Sequence, residues 1–297
     1  LGPVLLEFAP PASALAPRIN QKIAGRMINR TRFLPLALVV FGLTLAGPAW
    51  SDLGLNMTPG VTAMSREIYG LHMLILWVCV VIAVGVYAAM IYAIVKFRKS
   101  KGAQPAKFTH SYTVEVIWTA IPAIILVVMA IPAARTLIKM EDTRGSQLTV
   151  KVTGFQWRWQ YDYIDEGVRF FSTLKRDSNA ARKKGSGIDP KTVENYLLDV
   201  DNPLVVPVNT KVRVLVTAAD VIHSWWMPAF GVKKDGIPGF INEAWFQADT
   251  VGTYRGQCAE LCGMDHGFMP IVVRVTSRDE YDNWLKTQRA QVSSLTR

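Results

Sequence analysis

The sequence predicts a membrane-anchored all-β protein: a two-helix transmembrane hairpin followed by a β-sandwich or barrel. Three observations predict it. Two apolar stretches, Leu71 to Val95 and Val116 to Ala134, carry no charge, and about 20 helical residues cross a hydrocarbon core of about 30 Å. The segment between them holds Lys96, Arg98, Lys99, Lys101 and Lys107 without an acid before Glu115, the pattern of a loop retained in the cytoplasm. From about Ser146 the pattern changes to period two, with Leu148, Val150, Val152 and then Val212, Val214, Val216 alternating with other residues.

Composition agrees. At 297 residues, 50% hydrophobic and a mean hydropathy of +0.19, the chain is more apolar than an ordinary soluble domain pair. The net charge of +10 is unevenly spread: eleven Lys/Arg against four Asp/Glu precede Arg135, and twenty-two against nineteen follow from it. That basicity sits in a leader and one short loop, which excludes a nucleic-acid footprint and fits membrane topology.

In chain order, residues 1–51 read as a leader. Arg18, Lys22, Arg26, Arg30 and Arg32 precede an apolar run from Phe33 to Ala46, and Ala49-Trp50-Ser51 is a small-x-small cleavage site. The rival reading is a first anchor, for which the run is short. Residues 52–140 are expected to form the hairpin, with helices over about 71–97 and 113–137 and Pro122 and Pro132 kinking the second. Cys79, alone in the first helix, is expected to be an inert buried thiol. With the basic loop inside, both hairpin ends face outward, so residues 141–297 lie in the periplasm.

Phe240 to Gln247 and Ile271 to Val275 add β-rich runs, and Asp279 to Val292 reads as a terminal helix with Tyr281, Trp284 and Leu285 on one side. The aromatic series Phe155, Trp157, Trp159, Tyr161 and Tyr163 alternates so as to place its rings on one strand face, with a core role as the simplest reading. Glu166 to Leu198, with seven Lys/Arg and Gly185-Ser-Gly187, is expected to be a long solvated loop.

One stretch concentrates chemistry. In Gly256-Gln-Cys258-Ala-Glu260-Leu-Cys262-Gly-Met-Asp-His266-Gly-Phe-Met269-Pro270 the cysteines lie four apart, His266 four beyond and Met269 three beyond that. Thiolate, thioether and imidazole together suit copper better than a hard cation. A single-copper electron-transfer site needs one cysteine and two histidines; two cysteines could instead bridge two coppers, each with its own histidine, and His223 in Val221-Ile-His223-Ser-Trp-Trp-Met-Pro228 is the second. A disulfide leaves His266 and Met269 unexplained. Structural zinc uses other spacings and no Met, and a Cys-x-x-Cys-His haem site is absent.

This loop, with His223 upstream, resembles the binuclear copper (CuA) signature of subunit II of the haem-copper cytochrome c oxidases, and the resemblance runs from about Met57 to the C-terminus, failing only in the segment Glu166 to Leu198. It implies a cupredoxin-like Greek-key barrel. It implies His223, Cys258, Cys262, His266 and Met269 as side-chain ligands, with Glu260 giving its backbone carbonyl and, through its side chain, helping to bind a magnesium or manganese ion at the interface with subunit I. It makes Trp157 the surface aromatic where electrons arrive from cytochrome c, places Asp162, Asp165, Glu166, Asp199, Asp201 and Asp220 in the docking region, and puts Glu115 near the mouth of a proton-uptake channel. Read from its own chemistry, Glu115 is a carboxylate favourably placed at a helix N-terminus. The implied activity is electron acceptance for an oxidase that reduces O2 in subunit I, with the other oxidase subunits as partners, in the bacterial inner membrane. Two other classes compete. A copper-delivery protein needs an open, exchangeable site, and a quinol-oxidase subunit lacks the copper ligands.

Overall fold

The computed structural model describes residues 56–295; the expected leader and its cleavage site lie outside them. Helix α1 (Ala63–Lys96) starts eight residues before the apolar run because Thr62 and Ser65 form a reciprocal capping box: the Thr62 hydroxyl accepts from the Ser65 N–H, and the Thr62 N–H donates to the Ser65 hydroxyl. Helix α2 (Tyr112–Met140) runs through Pro122 and Pro132 as one element. Each helix qualifies as a membrane span by length and hydropathy. Cys79 is exposed rather than buried, because a hairpin helix has a single helical neighbour and turns most of its apolar surface outward.

The β domain contains two five-stranded sheets, a cupredoxin-like arrangement. One sheet is ordered β3 (Val168–Ser172), β2 (Arg158–Tyr163), β1 (Leu148–Phe155), β5 (Val212–Ala218), β8 (Asn242–Phe246). The other is ordered β4 (Leu204–Pro207), β10 (Pro270–Thr276), β9 (Gly252–Cys258), β6 (His223–Met227), β7 (Val232–Gly236). Parallel pairing of β1 with β5 and of β4 with β10, amid antiparallel neighbours, marks the crossovers of a Greek key. The register Val150 to Val214 and Val152 to Val216 stacks the period-two valines on one fully buried face.

Two expectations change. The aromatic series does not lie on one strand face: β1 ends at Phe155, Gln156 and Trp157 form a two-residue turn, and β2 starts at Arg158. In such a hairpin Phe155 pairs with Arg158, so inward-facing positions are even in β1 and odd in β2. Trp159, Tyr161 and Tyr163 therefore enter the core. Phe155 faces outward beside Phe171, whose ring is covered by the Arg158 guanidinium. Trp157 is left at the tip. Residues 166–198 are also not simply a loop. They supply edge strand β3 and helix α3 (Arg176–Ala181), whose Ser178 is fully buried and accepts the Leu197 N–H. Helix α4 (Arg278–Leu295) packs Tyr281 and Leu285 inward and sets Trp284 beside Tyr163.

Candidate metal centre

Three strands of one sheet frame the centre. Cys258 ends β9, His223 begins β6, and the loop from Ala259 to Met269 returns into β10. Trp225 of β6 is paired with Cys258, and the Ala259 N–H donates to the Ser224 carbonyl, so the loop leaves the sheet in a fixed direction. Gly256 is required on the way in. A Cβ there would stand 2.1 Å from the Trp226 carbonyl oxygen.

The sequence-selected side chains converge. The sulfurs of Cys258 and Cys262 stand 3.9 Å apart, roughly twice a disulfide bond of about 2.05 Å. Both cysteines are free, which sets aside the disulfide reading. His223 Nδ1 lies 3.9 Å from Cys258 Sγ, and His266 Nδ1 lies 3.5 Å from Cys262 Sγ. Met269 Sδ is 3.6 Å from Cys262 Sγ, and the Glu260 carbonyl oxygen is 3.4 Å from Cys258 Sγ. One ligand atom from each of His223, Cys258 and Cys262 fits within 4.8 Å, with all three residues buried.

This donor set fits a soft metal cation. Burial opposes ionisation of the Cys258 thiol, but hydrogen bonds from His223 and nearby backbone outweigh it and lower its pKa. Burial pushes the Cys262 thiol up, and the charge of its neighbour pushes it further. One thiolate forms readily and holds back the second; positive charge between them is what would let both ionise.

The surrounding groups orient the donors. Asp220 Oδ1 sits 2.9 Å from His223 Nε2, which leaves Nδ1 for the thiolate side. That carboxylate also accepts the N–H groups of Gln156 and Val221, both at 2.7 Å. Burial raises the Asp220 pKa, the three hydrogen bonds lower it, and the net result is a lowered value. The Trp157 indole N–H and the Gln156 side-chain amide donate to the Cys262 carbonyl at 3.1 and 2.9 Å. The Trp159 indole N–H donates to the Met269 carbonyl at 3.2 Å, and its ring meets His223 edge-on.

The remaining sequence-selected residues are scattered. The Glu260 side chain is exposed while its carbonyl faces the thiols. Glu115 lies in the first turn of α2. Most of the acids are engaged: Asp162 with Arg169, Glu166 with Arg289, Asp199 with both Lys175 and Arg255, and Asp201 with the Thr173 hydroxyl and two backbone N–H groups. Asp165 is exposed. Two residues at the centre escape a sequence reading. Gly154 gives no signal until its backbone is seen against the His223 ring. Asp220 reads as one surface acid among several, although its position three residues before His223 is a usable hint.

Comparison with known proteins points to one family for both parts of the chain. Residues 148–276 match the family described as "Cytochrome C oxidase subunit II, periplasmic domain", and residues 49–135 match "Cytochrome C oxidase subunit II, transmembrane domain". A probable cytochrome c oxidase subunit 2 of Rickettsia bellii (strain RML369-C) is 39% identical over 235 residues, covering 79% of this chain and 84% of the relative. Cytochrome c oxidase subunit 2 of Cereibacter sphaeroides is 36% identical over 251 residues, covering 82% and 83%. Among solved structures, the periplasmic domain of subunit II of cytochrome oxidase of Bradyrhizobium japonicum is 45% identical, covering 50% of this chain and 98% of that one, with a TM-score of 0.44.

Proposed function

The chain belongs to the cytochrome c oxidase subunit II family, and from that premise we propose that its thiol loop holds a binuclear copper centre that receives electrons from cytochrome c. As a subunit II it is the electron-accepting part of a respiratory oxidase of the bacterial inner membrane and transfers electrons to subunit I. In the proposal, residues 1–51 are a leader, 52–140 the membrane hairpin and 141–297 the periplasmic domain.

The carrying observation is the convergence of three further side-chain donors and one carbonyl on two sulfurs 3.9 Å apart. Copper held there would supply one-electron redox chemistry, with a single exchangeable electron shared over two ions. The residues supply the rest. Cys258, Cys262, His223, His266 and Met269, with the Glu260 carbonyl, would hold the metal. Asp220 is placed to keep His223 in one tautomer, and burial of His223, Cys258, Cys262 and Met269 limits the access of water to the donors. Trp157 is the aromatic through which electrons arrive, a role supported by its half-buried ring and its hydrogen bond to the Cys262 carbonyl. Asp162, Asp165, Glu166, Asp199, Asp201 and Asp220 contribute to the docking face; complementary charge speeds encounter and weakens with salt. Outward, the Glu260 carboxylate serves a magnesium or manganese ion shared with subunit I. Glu115 lies at the cytoplasmic end of α2, at a proton-uptake mouth.

The test is metal content and EPR of the oxidase complex. The reading expects two coppers per chain in the loop and the hyperfine pattern of one electron shared by two equivalent nuclei. One copper per chain, with the pattern of a single nucleus, sinks it.

A further inference from the structure

The basic segment that reads as a solvated loop reaches back to the metal loop through one residue. Arg182, just past α3, donates from both terminal nitrogens to the Asp265 carboxylate at 3.1 and 2.9 Å. Its guanidinium lies 4.3 Å from the centroid of the Phe268 ring. A third donor, Nε, is held by Asn179 Oδ1 at 2.8 Å. Arg182 and Asp265 side chains are only 24% and 22% exposed, so this pair is better shielded than a free surface ion pair.

The two residues gripped are informative. Asp265 immediately precedes His266, and Phe268 immediately precedes Met269. The two histidines are oriented differently. Buried His223 has its Nε2 fixed by Asp220, whereas His266 is half-buried and meets Cys262 through Nδ1. The turn carrying His266 is closed by two backbone bonds, His266 N–H to Gly263 O and Phe268 N–H to Asp265 O. We propose that Arg182 is a positioning residue for the metal loop: by clamping Asp265 and covering Phe268 it fixes the His266 and Met269 donors, as Asp220 fixes His223. The inference rests on the reading that His266 and Met269 are ligands. It also gives the inserted segment a task, with α3 and buried Ser178 as the footing of the clamp.

The test uses the whole oxidase complex carrying Arg182→Gln, Asp265→Asn, the double variant, or Lys184→Gln as a control that removes one exposed cation from the same segment. Copper loss to a chelator is followed alongside EPR line shape. Groups that orient metal ligands typically matter about 10–100-fold in metal affinity, so each clamp variant should lose copper at least about tenfold faster than wild type, with broadened lines. The double variant should be no worse than the singles, because both remove the same contact, and Lys184→Gln should match wild type. If wild type shows two coppers while both clamp variants retain copper and line shape like it, the clamp role is overturned and the copper reading stands. Equal loosening by Lys184→Gln also overturns it, since charge rather than position would then be responsible. A wild type without the two-copper signal overturns the ligand reading first, and the clamp with it.

Discussion

Gly154→Ala is the sharpest perturbation of the centre available without touching a donor. Gly154 lies in β1 directly behind the buried His223 ring. A Cβ there would stand 2.7 Å from His223 Cδ2, 2.8 Å from Cγ and 3.0 Å from Cβ. Ordinary contact begins at 3.4 Å, so the ring must retreat about 0.7 Å. Its retreat is restricted: Trp159, paired with Gly154 on the neighbouring strand, meets the ring edge-on with centroids 5.9 Å apart, and Asp220 holds Nε2 at 2.9 Å. Overpacking of this kind costs about 1–3 kcal/mol. Reduced entropy of the unfolded chain offsets about 0.4–1 kcal/mol for Gly→Ala, so the penalty wins. With about 2–4 °C per kcal/mol for a protein of this size, the thermal midpoint should fall by several degrees. Displacement of His223 Nδ1 should also weaken copper binding. The assay is near-UV circular dichroism melting with and without copper, beside copper stoichiometry. Gly267→Ala, in the metal loop but with nothing within 4 Å and no positive φ, is the control and should be neutral. Wild-type melting and copper retention in Gly154→Ala, or equal damage from Gly267→Ala, refutes the reasoning.

Met269→Leu is close to isosteric and should cost under about 1.5 kcal/mol of stability while keeping copper and shifting the reduction potential; a redox titration matching wild type removes Met269 from the ligand set. By contrast, Cys262→Ser should abolish the two-copper EPR signal outright, and its survival would rule out bridging thiolates. Trp157→Phe keeps a ring but deletes the hydrogen bond to the Cys262 carbonyl. That loss costs about 0.5–1.5 kcal/mol, and stopped-flow reduction by cytochrome c should slow with copper content unchanged. Burial raises the pKa of Tyr161, Tyr163 and Tyr281. Above pH of about 10 the unfolded chain therefore sheds protons that the folded chain keeps, and stability should fall by about 1.4 kcal/mol per pH unit for each tyrosine. Denaturant melts that stay flat from pH 9 to about 11 would contradict this.

The readable parts of the chain were those where adjacent residues carry the signal. Charge-free runs announce α1 and α2, period-two valines announce β1 and β5, and the spacing of Cys258, Cys262, His266 and Met269 announces a cluster of side chains that does converge. What escaped depends on distance across the fold. The aromatic series keeps its odd-numbered alternation straight through the Gln156–Trp157 turn, so nothing local shows that inward positions change from even to odd there. The cations of the 166–198 segment look solvated because their partners are elsewhere. Arg182 meets Asp265, and Lys175 meets Asp199. Gly154 matters only because β6 brings His223 against it.

The membrane hairpin is bolted to the sheets rather than tethered to them. Val61 donates its N–H to the Ala229 carbonyl and accepts from the Asp249 N–H, the Thr62 hydroxyl donates to the Phe230 carbonyl, and Arg66 pairs with Asp249. At the far helix end, the Trp245 indole donates to the Lys139 carbonyl, and Lys234 pairs with Glu141. With both stalks pinned, the altitude of the sulfurs over the lipid surface is built into the polypeptide. Because electron hopping weakens steeply with separation, the gap to the next carrier is set by masonry, and a flexible insertion after Met140 should dim the current even with every donor atom in place.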